Sequence, residues 1–531
     1  MAASQPFSVA LQGGLDKSSN SLELLQTPGK ATRLKNFEVS TKGGYRRING
    51  YTQLGDGTRP NSSNEILGMH VYADGVLASS GTNIYFSQDG NSWLQINKAS
   101  VAGGGDNYST FTGRSASART SQSKTHFATF EGNTIYGEVI ITDEGSGVKP
   151  FYFKMTGTDS DITNRTFFAK EITVSGTHYP KYCVIHDKHL VVAGAATALN
   201  TIFYSGTSDI DDFTSTGSGS IVLDDQVVGL KSFRDELFIF CKNSIYKLQN
   251  INNSSTIAIV PVTKNVGCVD GKTIQEFAGD LIFLAPDGFR TIAGTARIGD
   301  VELGTISSNV QSIFNENISS ASEFDSIVIP DKTQYRIFFT KSGTLDNQTK
   351  GIICSLRGQK FEFAEIRGIK PASTDHFVDD GDVIVLHGGY ADGFIYRQEV
   401  GNTFNGVNIA GKYRSPDLTF NDPGIRKHMQ RVIINYKPEA AIDADLFLRY
   451  DYEDKDAPRP AAYPLDSEDV VAIYGTSVYG IPTYGGASQP LVRQAVEGSG
   501  FAVALRVTDG TGSAPYSLKG FQLEYQLGAR R

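Results

Sequence analysis

A short β-hairpin pattern that returns along most of the chain is the feature that most restricts how this sequence can fold. Its clearest copy runs from Asp235 to Leu248, where a polar turn leads into an apolar run, a polar link and an alternating strand. Turn residues that flank apolar and alternating runs are typical of antiparallel hairpins. One hairpin cannot bury its apolar face alone, so several copies must pack against one another.

Seven copies of the pattern follow one another, and their turns lie about fifty residues apart. That period is typical of propeller blades, in which small sheets stack around a common axis. The copies begin near Asp74, Glu131, Asp187, Asp235, Gly279, Lys332 and Gly381. Because they vary in length and share no strict signature, the sequence predicts an all-β fold built on an irregular β-propeller of six to seven blades. A stack of β-sandwiches is the alternative.

The pattern divides the chain into three predicted parts. Residues 1–60 form an N-terminal arm, which we expect to pack on the C-terminal platform or on a neighbouring subunit. Residues 61–400 form the β-propeller, with one short helix over Val310–Asn317, where apolar residues recur at helical spacing. Residues 401–531 hold four alternating strands and predict a C-terminal platform module, antiparallel and β-sandwich-like.

Composition and charge exclude several classes of protein. The 49 basic and 57 acidic residues give a net charge of 49 − 57 = −8, which is unsuited to wrapping duplex nucleic acid. The four cysteines are widely spaced, include no Cys-x-x-Cys pair, and are expected to be reduced and packed as small apolar side chains. No secretory signal and no apolar run of about 20 residues occurs, so we expect a soluble protein without a membrane-spanning segment.

Two aromatic segments are candidates for contact between subunits. Their residues are Tyr45, Arg46, Arg47, Tyr51, Tyr474, Tyr479 and Tyr484. The first four lie on a glycine-flanked strand, which is either a docking strand whose arginines pair with carboxylates of a partner or an edge strand with two solvated arginines. The last three each precede a glycine at five-residue spacing, which predicts either a surface loop that presents tyrosines to a partner or a loop packed on itself.

No pattern in the sequence indicates a catalytic, cofactor or metal site. His186 and His189 lie three residues apart, and on one strand that spacing sends their side chains to opposite faces. An acidic loop carries Asp209, Asp211 and Asp212, whose carboxylates suit calcium, but it contains no complete set of ligands. Carboxylates are plentiful, yet no motif pairs two of them as acid and base. We therefore expect no enzyme, no cofactor and no metal ion.

Two groups of motifs, one near each end of the chain, resemble a known family. Near the start stand Gly13-Gly14-Leu15, then Pro28-Gly29-x-Ala31-x-x-Leu34-x-Asn36-Phe37, then Gly43-Gly44-Tyr45-Arg46-Arg47-x-x-Gly50-Tyr51. Near the end stand the segment from Ser415-Pro416 to Arg431 and the segment Tyr516-Ser517-Leu518-x-Gly520-Phe521-x-Leu523-Glu524-Tyr525-x-Leu527-x-x-Arg530-Arg531. In order and spacing these motifs resemble the tail hub, nozzle or stabilisation proteins of short-tailed bacteriophages, also called tail tubular protein B. The middle of the chain agrees in class but lacks the large insertions of the bigger nozzle members.

The resemblance implies a structural virion protein that forms the tail hub or nozzle. It implies a homo-oligomer, a hexameric ring below the portal and the tail adaptor protein, which encloses the DNA ejection channel and anchors tail fibre or spike proteins. Double-stranded DNA would pass without sequence-specific binding. The protein would be assembled in the host cytoplasm and would reside in the virion tail.

Two other functions stay open beside this one. The first is a propeller glycosidase or lyase that acts on host surface polysaccharide. The single Trp among 531 residues counts against it, because sugar-binding platforms favour indole rings. The second is a receptor-binding propeller unrelated to phage tails.

Overall fold

The computed structural model consists almost entirely of short strands. It describes residues 4–61, 65–96, 123–132, 136–145, 147–156, 166–176, 178–293, 305–341, 343, 349–439, 442–465 and 491–530. The described α-helices are α1 (Ser21–Gln26) and α2 (Gln311–Asn317), and α2 directly follows a 3-10 turn at Ser308–Val310. This confirms the helix predicted over Val310–Asn317. No helix within the described ranges is long and apolar enough to cross a membrane.

The first five strands lie in the N-terminal arm and join different parts of the molecule. They are β1 (Gln5–Ala10), β2 (Arg33–Lys35), β3 (Phe37–Val39), β4 (Tyr45–Arg47) and β5 (Tyr51–Gln53). β3 and β4 form a hairpin, and its turn holds Gly43 and Gly44 at positive φ, a conformation that glycine adopts without strain.

The next sixteen strands form four sheets of four antiparallel strands each, in chain order. The first blade is β6 (Ile66–Tyr72), β7 (Gly75–Ser80), β8 (Asn83–Ser87), β9 (Leu94–Gln95); the second is β10 (Thr125–Phe130), β11 (Glu138–Asp143), β12 (Phe151–Thr156), β13 (Thr166–Glu171); the third is β14 (Tyr182–His186), β15 (His189–Ala195), β16 (Ala198–Tyr204), β17 (Gly219–Val222); the fourth is β18 (Val227–Phe233), β19 (Glu236–Cys241), β20 (Ile245–Gln249), β21 (Ala258–Thr263).

A three-stranded sheet and two further blades continue the series. The small sheet is β22 (Gln275–Phe277), β23 (Asp280–Ala285), β24 (Gly288–Thr291); the fifth blade is β25 (Glu323–Ile329), β26 (Gln334–Thr340), β27 (Lys350–Arg357), β28 (Lys360–Arg367); the sixth is β29 (Pro371–Asp379), β30 (Asp382–Gly389), β31 (Ile395–Gln398) and, as its fourth strand, β5 of the arm. The arm therefore supplies the fourth strand of the last full blade, where β5 runs antiparallel to β31.

The innermost strands of these sheets follow one another in a closed ring. β6 contacts β10, β10 contacts β14, β14 contacts β18, the small sheet lies between β18 and β25, β25 contacts β29, and β29 returns to β6. Six four-stranded blades and one three-stranded sheet thus surround a common axis, which confirms an irregular β-propeller within the predicted range of six to seven blades. The stack of β-sandwiches is not observed.

The predicted hairpins correspond to the second and third strands of the blades. Asp235 occupies the turn between β18 and β19 at positive φ, and Asp187 does so between β14 and β15. Each polar turn in the pattern is therefore the turn from the innermost strand to the second. The weak copy at Glu131 is displaced, since the corresponding strand β11 begins at Glu138.

The C-terminal residues build two sheets that face each other. The C-terminal strands are β32 (Thr403–Phe404), β33 (Val407–Asn408), β34 (Gly411–Arg414), β35 (Ile425–Pro438), β36 (Asp445–Tyr450), β37 (Tyr463–Pro464), β38 (Leu491–Ala495), β39 (Ser499–Gly500), β40 (Val503–Asp509) and β41 (Tyr516–Arg530). Of these, β32 and β33 continue the sheet of the sixth blade beside β5, and the others form the two facing sheets. One sheet has the order β3-β4-β41-β35-β38, with β1 on β41 and β39 on β35. The other extends the fifth blade through β2 into β34, β40, β36 and β37. Buried side chains of both sheets share one apolar core, which confirms the sandwich-like module.

Apolar side chains between neighbouring sheets hold the propeller together. Separate clusters lie between the first and second blades, the second and third, the third and fourth, the fourth blade and the small sheet, and the sixth and first blades. Each blade therefore buries its faces on its neighbours, as the hairpin pattern requires. The division of the chain at residues 60 and 400 stays a prediction, and the pairing of β5 with β31 crosses the first of these boundaries.

Candidate functional site

One end of the propeller axis collects charged side chains, and we call this end the axial mouth. Its charged residues are Glu65, Lys124, His126, Glu144, Asp270, Lys272, Glu323 and Asp325. Glu65 and Lys124 directly precede the innermost strands β6 and β10, and Glu323 begins β25. Because every blade repeats the same strand order, the starts of the innermost strands lie at one end of the ring.

Lys124 connects three blades at the axial mouth. Its Nζ lies 2.5 Å from Glu65 Oε1 and 2.7 Å from Glu323 Oε2, so an ammonium of the second blade bridges carboxylates of the first and fifth. Burial opposes its protonation, but the two carboxylates outweigh burial and raise the pKa of Lys124. Lys124 is therefore a charged tie across the ring.

Asp325 is the unusual carboxyl of this group. It lies on β25, is 6% exposed, and its Oδ2 has no hydrogen-bond partner among the described residues. Burial raises its pKa to about 7, although Lys272 and Lys124 favour the ionised form. A carboxyl that is half protonated near neutral pH can both donate and accept a proton.

A second carboxyl at the axial mouth has the opposite character. Glu144 Oε1 lies 2.8 Å from His126 Nε2. Burial opposes ionisation here too, but the contact with His126 and the charge of Lys272 lower the pKa of Glu144 to about 2. The cluster therefore holds one carboxyl with a raised pKa and one with a lowered pKa, a difference that can separate a general acid from a base.

No motif in the sequence could reveal this cluster. Its members are spread through the sequence from residue 65 to residue 325, and only closure of the ring brings them together. The one available signal is a charged residue at the start of an apolar innermost strand, as at Glu65, Lys124 and Glu323. No motif in the sequence pairs two carboxylates as acid and base, because only their positions in space can do so.

The contact between the arm and the C-terminal module, which we call the arm seam, contains a fully buried ion pair. Arg47 Nε lies 2.8 Å from Asp509 Oδ2, and both side chains are 0% exposed. The guanidinium also donates to the carbonyls of Ser513 at 2.5 Å and Thr511 at 3.0 Å. Burial raises the pKa of Asp509 and lowers the pKa of Arg47, because the loss of solvation outweighs their attraction.

Arg46 belongs to a network of charges beside this pair. It donates to both oxygens of Glu439, at 2.6 and 2.7 Å, and to Glu38 at 3.0 Å. Glu38 also accepts from Arg336 at 3.2 Å, and the fifth blade is thereby tied to the arm. Although burial opposes it, the carboxylates of Glu439 and Glu38 raise the pKa of Arg46.

The predicted contact residues in the arm have their side chains engaged within their own chain. Tyr45 is 0% exposed, and its hydroxyl donates to the carbonyl of Gly29 at 2.7 Å. Tyr51 stacks on Phe404 with ring centroids 5.2 Å apart. The interpretation as two solvated arginines is wrong, since Arg46 and Arg47 pair with carboxylates of the same chain. Subunit contact by these residues stays a prediction.

Three of the predicted contact residues cannot be placed. Tyr474, Tyr479 and Tyr484 lie outside the described residues.

The reasoning about His186 and His189 is corrected by the structure. A turn separates them, and they face each other as partners of β14 and β15 instead of lying on one strand. His186 Nδ1 contacts Ser232 Oγ at 2.8 Å, and His189 Nδ1 contacts the carbonyl of Ser205 at 2.6 Å. Within the described ranges, no three His, Cys, Asp or Glu side chains are arranged to hold a metal ion.

The four cysteines are free, and three of them are packed in the core. Cys241, Cys268 and Cys354 are at most 1% exposed. Burial raises the pKa of each of these thiols above its ordinary value. They therefore act as small apolar side chains, as predicted.

Comparisons with known proteins return only distant structural likenesses. No protein-family model and no curated protein matches the sequence. An exo-β-1,3-galactanase from Phanerochaete chrysosporium is 10% identical, with 90% of this chain and 100% of that chain covered and a TM-score of 0.27. An ancestral GH74 enzyme is 9% identical, with 64% of this chain and 48% of that chain covered and a TM-score of 0.40. The AfRom2 CNH domain is 10% identical, with 65% and 99% covered and a TM-score of 0.36.

These likenesses correct one expectation and assign nothing in its place. Two of the three similar structures are enzymes, so the expectation that this chain is not an enzyme is withdrawn. With TM-scores below 0.5, the likenesses give the chain neither an activity nor a substrate. What is established is a β-propeller protein with a sandwich-like C-terminal module.

Proposed function

We propose that this chain is a structural virion protein of a short-tailed bacteriophage, which forms the tail hub or nozzle. In this role it assembles as a hexameric ring below the portal and the tail adaptor protein, encloses the DNA ejection channel, and anchors fibre or spike proteins. The proposal rests on the resemblance of the two ends of the chain to that family, and on one structural observation about the residues that carry the resemblance.

That observation is that the motifs from the two ends meet in one tightly packed seam. A Cβ placed on Gly44 would lie 2.1 Å from the carbonyl oxygen of Leu518, and one on Gly50 would lie 1.9 Å from that of Thr403. These glycines are required because backbone passes directly over them. β1 and β4 of the arm both pair with β41, the strand that carries the C-terminal motif. Motifs far apart in sequence thus belong to one structural unit, as expected if they are shared because of a common assembly role.

The charge of the chain is compatible with a channel through which DNA passes. A net charge of −8 disfavours retention of a polyanion at the wall. The proposal includes passage of double-stranded DNA without sequence-specific binding, assembly in the host cytoplasm, and residence in the virion tail.

The direct test is localisation and requirement in virions. Antibodies against the purified chain should label the tail in electron micrographs, and a nonsense mutation in its gene should yield DNA-filled heads without a complete tail. A control phage with a synonymous codon at the same position of the gene should form complete tails. Complete tails without the chain, or label confined to the host cell, would contradict the proposal.

A second candidate function is cleavage of host surface polysaccharide at the axial mouth. The observation that favours it is Asp325, a buried carboxyl with an oxygen that has no hydrogen-bond partner in the described structure and with its pKa raised to about 7 by burial. The charge of Lys272 acts on both Asp325 and the ionised Glu144. Asp325 would protonate the leaving glycosidic oxygen, and an ionised carboxylate would take a proton from the attacking water. A virion protein can also be such an enzyme, so the two proposals do not exclude each other.

The test is reducing-sugar release from host capsule and lipopolysaccharide by the purified chain. We expect D325N to lower the rate at least about 100-fold, the usual contribution of a general acid. D211N, which changes an acidic residue of an outer loop, is the matched control and should retain full activity. Equal activity in D325N and wild type would exclude the axial mouth as the catalytic site.

A further inference from the structure

A cavity of about 260 Å³ lies where the arm meets the C-terminal module, and we call it the seam pocket. Its walls come from the β3–β4 hairpin, the 3-10 turn at Pro330–Lys332, β35 and its C-terminal end, and β41. Pockets for drug-sized ligands span about 300–1,000 Å³. The seam pocket is smaller, so it fits one compact group with at most a single sugar ring.

Two of the three carboxylates that line the seam pocket are already neutralised. Glu439 accepts two hydrogen bonds from the fork of Arg46. Glu38 accepts from Lys332 at 2.8 Å and from Arg46 at 3.0 Å. Lys332 also contacts Glu399, at 2.5 Å, so these four groups and Glu399 form one network of ion pairs. The third carboxylate, Asp331, is exposed and forms no ion pair among the described residues, so one unpaired acidic group faces the cations at the rim.

Three lysines at the rim of the pocket have no such partner. Lys42, Lys437 and Lys519 form no ion pair with any carboxylate of the described residues, and Lys519 Nζ donates only to the carbonyls of Gly43 at 2.6 Å and Lys42 at 3.4 Å. Behind them, Arg357 has a buried Nη1 without an acceptor in the part of the chain described. Burial and the positive charges of Lys437, Arg357 and Lys42 lower the pKa of Lys519. Four cations are therefore held together against their repulsion.

We propose that the seam pocket binds a phosphate group, carried by a small molecule such as inorganic phosphate or a hexose phosphate. A lysine ammonium binds phosphate as a point charge, and a tetrahedral dianion can accept from several such donors at once. The hydroxyl groups of Ser40 and Ser517 line the same pocket and can donate further hydrogen bonds. In a chain of net charge −8 this positive field is local, so it marks a site and not a general affinity for anions.

A nucleic-acid duplex fits these observations less well than a small phosphate. A duplex presents one charge per about 1.7 Å of its axis and is bound along an extended basic track. Here the three rim lysines line one cavity of about 260 Å³, and Arg357 adds its charge beside Lys519. The proposal is independent of both functions considered above, because neither a tail ring nor polysaccharide cleavage requires an anion at the seam.

Titration of the purified full-length chain, followed by 31P NMR and calorimetry at constant ionic strength, tests the proposal. The probes are inorganic phosphate, glucose 6-phosphate and a short DNA duplex. We expect one saturable site per chain for at least one of the two small probes. The double variant K42Q/K437Q changes two exposed lysines. It should weaken binding about tenfold, since each exposed ion pair with the phosphate raises the affinity by about twofold to fivefold.

The matched control is K242Q, which removes an exposed lysine from the turn between β19 and β20 in the fourth blade. It should bind the small probes as the wild type does. Tighter binding of glucose 6-phosphate than of phosphate would identify a sugar phosphate as the ligand, and equal binding would identify the free ion. No saturable binding of either small probe, equal affinity in K42Q/K437Q and wild type, or binding of the duplex alone would overturn the proposal.

Discussion

Removal of Arg47 tests how the arm is fixed to the C-terminal module. In R47M the carboxylate of Asp509 keeps its buried position but loses a cation that lies 2.8 Å away. The carbonyls of Ser513 and Thr511 lose their donor as well. Both side chains of the pair are 0% exposed, so water cannot replace the guanidinium without opening the seam.

The expected cost is large because only one partner is removed. Breaking a buried ion pair by deleting one charge destabilises a protein by about 3–5 kcal/mol. If the seam opens as a local unit, 3–5 kcal/mol corresponds to an increase in the open population of about two to three and a half orders of magnitude. The double variant R47M/D509L also removes the stranded carboxylate, so its cost should be smaller than the sum of the single changes by about 3 kcal/mol.

Hydrogen exchange measured by mass spectrometry reads this local opening directly. Peptides that cover β1, β4 and β41 should lose protection by about 100-fold or more in R47M, while those from the third and fourth blades keep theirs. The matched control is R431Q, which breaks the pair Arg431–Glu524 at 3.5 Å on the same sheet, where the arginine side chain is 51% exposed. An exposed pair contributes about 0–1 kcal/mol, so R431Q should change protection less than about tenfold. Equal effects of R47M and R431Q would refute the reasoning.

Three further changes test other parts of the structure. In E399Q we expect a loss of about 3 kcal/mol at pH 7. Although burial opposes ionisation, Arg336 and Lys332 hold the pKa of Glu399 at about 2, so their stabilisation is lost as pH falls from about 4.5 to 2. The melting temperature should therefore depend less on pH across that range in E399Q than in the wild type, and parallel curves would contradict this. Burial raises the pKa of Asp325 to about 7, so the free energy of unfolding of the wild type should fall by up to about 4 kcal/mol as pH rises from about 4 to 7. This fall should vanish in D325N, and the same pH dependence of stability in D325N and wild type would contradict this. G44A should be about 2 kcal/mol less stable than G358A, since both glycines have positive φ but only the Cβ at residue 44 meets the backbone of Leu518; equal melting temperatures would count against the close approach.

The sequence predicts the propeller because its signal is local and repeated. The turn at Asp235, the apolar strand that follows it and the alternating strand after that all act within fifteen residues, and the same order returns in each blade. The innermost strands carry a weaker pattern, since their side chains face both neighbouring blades and the axis. For that reason the second and third strands were predicted and the first were not.

The closing strand of the sixth blade could not be predicted in the same way. β5 is three residues long, and its partner β31 lies more than 340 residues farther along the chain. No local pattern encodes a pairing over that distance. The aromatic character of Tyr51 suggests a subunit contact, which stays a prediction, but no local pattern reveals that its ring packs on Phe404.

The candidate sites, like the pairing of β5 with β31, depend on contacts between distant segments. Spacing within one segment could be judged from the sequence, as with the helix over Val310–Asn317. The axial mouth and the seam pocket each combine residues from distant segments, and burial, which sets the pKa of Asp325, is a property of the assembled ring. The reasoning about His186 and His189 failed for a local reason. It treated them as residues of one strand, whereas a turn between them makes them partners on two neighbouring strands.

The measurement that tests the central proposal most directly is electron microscopy of the purified full-length chain, with mass photometry of the same sample. The proposal predicts closed rings of six copies with a central hole, and a mass of about six times the 57.5 kDa of one chain. A chain that stays monomeric at every concentration, or that forms assemblies without a central hole, would contradict it.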